Sequence, residues 1–321
     1  MSFLLTGVTG FVGRNLLLRL LARGESVQAV ARDAAKLRAQ LAAEGVASEL
    51  VQTLPTASKD WPAGVSPAHA VLSAGVLFAR NREEYFSINV DWNLSIIRSL
   101  PGNCRIVVLS SLAAAGPTPP GRKALTERDP GQPITWYGES KLALEQAIRE
   151  EFPERHITIL RPPMVLGPRD TATLPIFRMS RGYLRVKPGW ADKHYSFIAV
   201  DDLVDAMLAA LEAPQPLPTC YVAHPQTISD RDLIAAAGEK SGLLMPIPHA
   251  VLKPVAAFVD AVPALRRAVP SLSGDRARDL WIDRWVVDAA QFSRLTGFLP
   301  QRGLRETMDA TREFYRREGL L

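Results

Sequence analysis

A tyrosine and a lysine have the spacing in this chain that points most directly to chemistry. Tyr137 and Lys141 lie four positions apart in "WYGESKLALE", and on a helix such a pair shares one face. A phenol with a pKa of about 10 is a weak acid at neutral pH, and a neighbouring ammonium lowers that pKa. The pair predicts proton transfer by Tyr137 with support from Lys141, although ordinary surface helices carry the same spacing.

Two serines follow an apolar segment earlier in the chain. "IVVLSS" reads as a buried strand that places Ser110 and Ser111 at its carboxyl end, and open α/β sheets bind ligands at that end of their strands. Ser111 lies 26 residues before Tyr137. A serine hydroxyl at this position can hydrogen-bond a substrate oxygen.

Three glycines occur at equal intervals in "LLTGVTGFVGRNL", between a strand-like and a helix-like segment. Glycine permits a tight turn close to a pyrophosphate, and a helix N-terminus offers N–H groups and partial positive charge to that anion. The context predicts a dinucleotide cradle rather than a simple glycine-rich turn. Its expected residues are Gly7, Thr9, Gly10, Phe11, Val12 and Gly13.

An arginine ends the second predicted strand, where a dinucleotide-binding unit meets the adenosine ribose. Arg32 lies 19 residues after Gly13, and an arginine there favours a 2′-phosphate, whereas an acid favours a 2′-hydroxyl. We therefore predict NADP(H) over NAD(H). Arg14 could add a second cation, and Asp33 is the argument against a phosphate.

These residues need a scaffold, and strand-like and helix-like segments alternate through the first half of the chain. The pattern predicts an α/β fold with a doubly wound parallel Rossmann sheet. After about residue 168 prolines become frequent, and we expect a smaller, mostly helical C-terminal substrate lobe. The expected NADP-binding domain is 1–167, with 195–224 returning to it, and the expected substrate lobe is 168–194 with 225–321.

The motifs together resemble the extended branch of the short-chain dehydrogenase/reductase superfamily, the NAD-dependent epimerase/dehydratase family. The resemblance covers T-G-x-x-G-F-x-G, the order Ser–Tyr–Lys, "LRPPMVLGPRD" and "FIAVDDLVDAM", and so nearly the whole chain. Within this family, the chain most resembles reductases similar to dihydroflavonol reductase and 3-beta-hydroxysteroid dehydrogenase.

The resemblance implies roles for individual residues. Ser111 would hydrogen-bond the substrate oxygen, Tyr137 would exchange its proton, and Lys141 would support both Tyr137 and the nicotinamide ribose, with Ser110 as the less favoured serine. Asn89 matches a supporting asparagine, although Trp92 stands where the family usually has glycine. No residue after the third strand matches the family's adenine contact. The further cofactor contacts implied are Ser73, Ala74, Gly75, Pro163 and Met164.

The substrate is predicted to be a fairly apolar ketone, aldehyde or alcohol rather than a nucleotide sugar. Arg32 favours NADP, Met164 stands where many sugar-nucleotide enzymes have asparagine, and Leu112 stands where dehydratases have acids. The alternatives are a nucleotide-sugar epimerase or dehydratase with tightly bound NAD, and a non-enzymatic cofactor-sensing protein. The expected pocket walls are Phe78, Leu112, Trp136 and Met164.

Composition and charge indicate which partners, which compartment and which kinds of site the chain can have. The net charge of +5 is spread among interleaved acids, which argues against a nucleic-acid partner. Two cysteines without a pairing pattern indicate a reducing, cytoplasmic setting, and five scattered histidines predict no metal site. The apolar run over 247–265 is interrupted by Lys253 and Asp260, so no membrane span is expected. A homodimer through the helix of Tyr137 is left open.

Overall fold

A seven-stranded parallel sheet forms the centre of the computed structural model, which describes residues 2–46, 49–262 and 274–321. Its strand order is β10-β6-β5-β4-β1-β2-β3. The predicted doubly wound parallel sheet is therefore confirmed. The strands are β1 (Ser2–Thr6), β2 (Ser26–Val30), β3 (Val51–Leu54), β4 (His69–Leu72), β5 (Arg105–Leu109), β6 (Ile157–Arg161) and β10 (Cys220–Tyr221).

Helices cover both faces of this sheet. Leu20 of α1 and Met207 of α7 belong to the apolar core on one face, and Ile97 of α4 and Leu144 of α5 belong to the core on the other. The central strands are mostly apolar because both faces of the sheet are covered there. The helices are α1 (Phe11–Ala22), α2 (Ala34–Ala43), α3 (Arg82–Phe86), α4 (Asn93–Ser99), α5 (Trp136–Glu151), α6 (Leu174–Ser180), α7 (Val200–Glu212), α8 (Asp230–Ala237), α9 (His249–Ala261), α10 (Ala290–Thr296) and α11 (Leu304–Arg317).

The helical segment that follows Asn81 has three consecutive parts. Asn81 caps α3 by accepting a hydrogen bond from the Glu84 N–H at 3.0 Å, as a short polar side chain does at a helix start. A π-helical stretch, Ser87–Trp92, then separates α3 from α4. Such stretches are rare and are found mostly at functional sites, and this one carries Asn89.

The late part of the chain contains two small sheets that the sequence pattern did not reveal. In one, β9 (His194–Ala199) pairs with β7 (Met164–Leu166), β11 (Thr227–Ser229) and β13 (Arg284–Trp285). In the other, β8 (Leu184–Pro188) pairs in parallel with β12 (Leu243–Ile247). Helices α6, α8, α9, α10 and α11 lie in the same part, and the division into two domains stays a prediction. In the described ranges, no helix is long and apolar enough to cross a bilayer.

Candidate active site

The glycine loop after β1 is shaped by close backbone packing. Gly7 has a φ of +73°, a left-handed conformation that favours glycine. A Cβ on Gly13 would lie 2.3 Å from the Gly7 carbonyl oxygen, so the first turn of α1 can pack on the loop only without a side chain there. The Gly10 N–H donates to the same oxygen at 2.9 Å. The loop is therefore a compact turn that leads directly into α1.

The start of α1 is suited to an anion. Gly10 caps the helix without a side-chain hydrogen bond, and the first turn contains no acidic residue. The first N–H groups of a helix have no partner within it, and they carry partial positive charge. The cradle predicted from Gly7 to Gly13 thus fits the pyrophosphate of a nicotinamide dinucleotide.

The residues that follow β4 pack against the glycine loop. The Ser73 hydroxyl donates to the Thr6 carbonyl oxygen at 2.7 Å, and the Ala74 N–H donates to the Thr6 hydroxyl at 3.1 Å. A Cβ on Gly7 would lie 2.8 Å from the Ser73 Oγ. Ser73 and Ala74, predicted as cofactor contacts, therefore lie against the glycine loop.

Arg32 is exposed immediately after β2. The neighbouring Asp33 caps α2, since its carboxylate accepts a hydrogen bond from the Lys36 N–H at 2.8 Å. Arg14 instead pairs with Glu44 at 2.8 Å. The Arg14 guanidinium thus lies at the end of α2, and its role as a second phosphate ligand stays a prediction.

Helix α5 brings Tyr137 and Lys141 together as predicted. Thr135 caps the helix by accepting a hydrogen bond from the Gly138 N–H at 3.2 Å. The Lys141 Nζ lies 6.0 Å from the centre of the Tyr137 ring and donates to the Leu109 carbonyl oxygen at 2.9 Å. The lysine is 4% exposed, and burial lowers its pKa to about 8, against the opposing effect of Glu145.

The two serines after β5 have different surroundings. Ser110 is buried and donates to the Glu145 carboxylate, which forms a buried ion pair with Arg161 at 2.6 Å. Ser111 is partly exposed, and its Oγ accepts a hydrogen bond from the Ala113 N–H at 3.1 Å. Ser110 is thus engaged inside the fold. Ser111 acts only as an acceptor in its contact with Ala113, which leaves its hydroxyl proton for another acceptor.

Gly138 was missed by the sequence reasoning, although it directly follows Tyr137 in "WYGESK". A Cβ on Gly138 would lie 2.3 Å from the Ala113 carbonyl oxygen and 2.9 Å from the Pro133 Cβ. The bare glycine therefore lets α5 approach the short 3-10 turn Leu112–Ala114, which starts right after Ser111. This close packing brings the segments of Tyr137 and Ser111 together.

Asn89 is fully buried and supports this arrangement from the π-helical stretch. Its amide accepts from the Val76 N–H at 2.8 Å and donates to the Ser140 Oγ at 3.0 Å, and Ser140 donates to the Tyr137 carbonyl oxygen at 2.8 Å. A Cβ on Gly75 would lie 3.0 Å from the Asn89 Oδ1. Asn89 therefore joins the segment after β4 to the helix that carries Tyr137.

Trp92, which stands in the place of a family glycine, has a structural role. Its indole N–H donates to the Thr56 carbonyl oxygen at 2.9 Å, in the segment that follows β3. Trp61 in the same segment donates to the Pro55 carbonyl oxygen at 2.8 Å. Two tryptophans thus fix the backbone after β3.

The residues predicted as pocket walls lie in different environments. Phe78 is 40% exposed, whereas Leu112 is 4% exposed and packs in a core cluster with Tyr221 and Val287. The backbone N–H of Trp136 donates to the carboxylate of Asp275, which lies in the 3-10 helix Gly274–Trp281 and which the sequence reasoning missed. Met164 begins β7, one residue after the half-buried Pro163. The substrate pocket itself stays a prediction.

Within the described residues, no group of histidine, cysteine and acidic side chains is arranged to hold a metal ion. Cys104 and Cys220 are both buried and unpaired. Burial raises the pKa of each thiol to about 11. Neither thiol is therefore a ready nucleophile at neutral pH.

Comparison with known protein families shows which family this chain belongs to. The sequence model of the NAD dependent epimerase/dehydratase family matches residues 3–222, from β1 to just past β10. The chain belongs to this family. The matched range includes the glycine loop, Ser111, Tyr137 and Lys141, so the family resemblance read from the motifs is confirmed.

Curated relatives of this chain are named for several different activities. It is 26% identical to ceramide reductase of Caulobacter vibrioides, over 99% of this chain and 95% of that protein. It is 30% identical to sterol demethylase protein B of Methylococcus capsulatus, over 66% of each chain. It is 26% identical to dTDP-6-deoxy-L-talose 4-dehydrogenase (NAD(P)(+)) of Kitasatospora kifunensis, over 94% and 92%. A match to the uncharacterised protein y4nL of Sinorhizobium fredii covers 53% of that protein.

Solved structures of family members share the fold. UDP-glucuronic acid 4-epimerase from Bacillus cereus, in complex with UDP-glucuronic acid and NAD, superposes with a TM-score of 0.75 at 17% identity over 99% of this chain and 100% of that one. RMD from Pseudomonas aeruginosa, complexed with NADPH, superposes with a TM-score of 0.69 at 17% identity over 99% of both chains. At these identities the likeness establishes the fold.

Proposed function

We propose that this chain is an NADP(H)-dependent oxidoreductase that interconverts a carbonyl and an alcohol on a fairly apolar small molecule. The observation that carries the proposal is the assembly at the end of β5. Lys141 is hydrogen-bonded to the Leu109 carbonyl oxygen at 2.9 Å, and Gly138 lets the Tyr137 helix pack on the turn that begins after Ser111. A non-enzymatic cofactor sensor would not need this set of groups.

The cofactor would lie along the carboxyl ends of the strands. When bound, the nicotinamide exchanges a hydride with the carbon that bears the substrate oxygen. The glycine loop would hold the pyrophosphate, Arg32 the 2′-phosphate, and Lys141 the nicotinamide ribose. The exposed position of Arg32 and the engagement of Asp33 in the α2 cap support NADP(H) over NAD(H).

In this proposal, side chains of the protein transfer the proton to and from the substrate oxygen. In the direction of reduction, Tyr137 donates its phenolic proton to the substrate oxygen, while Ser111 donates a hydrogen bond to the same oxygen. The ammonium of Lys141, 6.0 Å from the ring centre, stabilises the phenolate that remains. In the direction of oxidation the same groups act in reverse.

The apolar substrate class rests on the residues around the site and on two relatives. Leu112 follows Ser111 directly, and Phe78 lies exposed in the segment after β4. Ceramide reductase and sterol demethylase protein B are named for lipid molecules, and the first matches 99% of this chain. We therefore extend the predicted apolar substrate to lipid-like carbonyl compounds.

A sugar-nucleotide substrate is the second candidate. It is favoured by the relative named for a dTDP-sugar, which covers 94% of this chain. NADPH oxidation against a panel of long-chain ketones, aldehydes and sterol ketones, beside UDP- and dTDP-sugars, separates the two. We expect NADPH oxidation with the apolar carbonyls, and NADPH oxidation with the sugar nucleotides alone would refute the apolar substrate.

The cellular location of the enzyme is also part of the proposal. The unpaired state of Cys104 and Cys220 fits a reducing compartment, and we propose a cytoplasmic location on that basis. A homodimer through α5 stays a prediction.

A further inference from the structure

The small parallel sheet of β8 and β12 presents its apolar side chains outward. Leu184 is in register with Leu243, and Val186 with Met245. Because strand side chains alternate between faces, these four lie on one face. Leu184, Leu243 and Met245 are 51%, 56% and 43% exposed.

The opposite face of β8 carries cations that are buried. Arg185 and Lys187 are 5% and 1% exposed. Arg185 donates to the Lys240 carbonyl oxygen, and Lys187 pairs with Asp230 at 3.2 Å and with Asp192 at 2.7 Å. Losing the partner of a buried charge is costly, so these contacts hold the strand in its register. The outward apolar face is therefore fixed by the pairing of the inward cations.

Two exposed aromatic residues flank β8 in the sequence. Tyr183, whose carbonyl oxygen accepts from the Leu243 N–H at 2.8 Å, is 74% exposed. Trp190 is 72% exposed and follows Gly189, whose N–H donates to the Ile247 carbonyl oxygen at 2.9 Å. Tyrosine and tryptophan are the residues that favour the boundary between lipid and water.

Helix α9, which follows β12, has a second exposed apolar stripe. Val251, Val255 and Phe258 are 54%, 45% and 62% exposed. Their spacing of four and three residues places them on one helical face. Apolar side chains that are exposed together in this way mark an interaction surface.

A cationic cavity lies at the start of the same two strands. Its volume is about 240 Å³, and it is lined by Arg181, Lys240, Arg312 and Arg316 together with Glu239. The Glu239 carboxylate pairs with Arg312 and Arg316, so Arg181 and Lys240 are the cations of this lining that Glu239 does not pair with. Arg181 comes two residues before Tyr183, and Lys240 three residues before Leu243. Positive charge therefore lies at the end of the sheet where both strands begin.

We propose that this surface attaches the protein to an anionic phospholipid bilayer. The docking surface consists of Tyr183, Leu184, Trp190, Leu243 and Met245, with Arg181 and Lys240 as phosphate ligands. Attachment would be interfacial, with apolar and aromatic side chains inserted and the cations on the headgroups. The proposal goes beyond the reaction and does not depend on it.

Vesicle flotation of the full chain tests the attachment. The vesicles are pure phosphatidylcholine, or phosphatidylcholine with phosphatidylglycerol, at low and high salt. The variant Leu243→Ser/Met245→Ser should bind the anionic vesicles about tenfold more weakly, because two inserted side chains are lost. The matched control Leu295→Ser/Leu299→Ser, whose leucines are 50% and 55% exposed elsewhere, should bind like the wild type.

The basic side chains are tested separately. Arg181→Ala/Lys240→Ala should lose the preference for phosphatidylglycerol and the salt sensitivity, while it retains weak binding to neutral vesicles. The proposal is overturned if the wild type floats with neither kind of vesicle, or if the Leu243/Met245 variant binds as tightly as the wild type. A wild-type dimer that this variant converts to a monomer, without vesicle binding, would show instead that the face joins two copies of the chain.

Discussion

Lys141 on helix α5 donates a hydrogen bond of 2.9 Å to the carbonyl oxygen of Leu109, the last residue of β5. The two residues lie 32 positions apart in the sequence, and their contact fixes the ammonium at the strand end that leads into Ser111. The same ammonium is 6.0 Å from the Tyr137 ring centre. One buried cation thus connects the strand of the serine to the helix of the tyrosine.

The burial of Lys141 predicts a pH dependence. Its pKa is lowered to about 8, so the side chain is charged below pH 8 and becomes neutral as the pH rises through that value. The value of kcat/KM for NADPH, which reports the enzyme before the cofactor binds, should therefore fall above about pH 8. Lys141→Met should lower kcat/KM for NADPH at pH 7 and abolish its decrease above pH 8. The control variant Lys123→Met, which changes an exposed lysine, should keep that decrease. If the decrease persists in Lys141→Met, another group causes it.

The two serines should respond differently to removal of their hydroxyl groups. Ser111→Ala should lower kcat about 100-fold, because a donor to the developing charge on the substrate oxygen is lost. Ser110→Ala should instead lower the free energy of unfolding by about 1–3 kcal/mol, because Glu145 loses a buried hydrogen bond. Steady-state kinetics and urea unfolding of both variants check this. Loss of turnover in Ser110→Ala alone would reverse the assignment.

Arg32 should determine the choice of nicotinamide cofactor. Arg32→Asp should raise the KM for NADPH by about 10- to 100-fold, the effect of losing a hydrogen bond between charged groups, and should favour NADH. Arg23→Asp is the matched control, since this exposed arginine lies at the other end of α1 from the glycine loop. An unchanged KM for NADPH in Arg32→Asp would contradict the role of Arg32.

The sequence was sufficient to predict the fold and the position of the glycine loop between β1 and α1, because both depend on local patterns. Buried parallel strands are mostly apolar, and α1 and α2 end two residues before Gly24 and Gly45, which both have left-handed φ values. The pairing of Tyr137 with Lys141 followed from helix geometry alone. These features need only residues that are close in the chain.

The features that the sequence did not predict depend on contacts between distant segments. The close approach of Gly138 to Ala113 and the engagement of Ser110 by Glu145 each join residues that are more than 20 positions apart. The sheet of β8 and β12 was missed because short strands containing Pro188 and Pro246 do not show a strand pattern. Glu145, four residues after Lys141, could have been noticed on the same helix face.

Deuterium transfer from labelled NADPH tests the proposed reaction most directly. With an apolar ketone, the wild type should place deuterium on the carbon that bears the new hydroxyl group, in a one-to-one ratio with the NADP⁺ formed. Tyr137→Phe should bind NADPH like the wild type but transfer the label about 100- to 10,000-fold more slowly, because the proton donor is lost. If no ketone or aldehyde acquires the label, while a sugar nucleotide is epimerised without net cofactor oxidation, the chain is an epimerase and not a reductase.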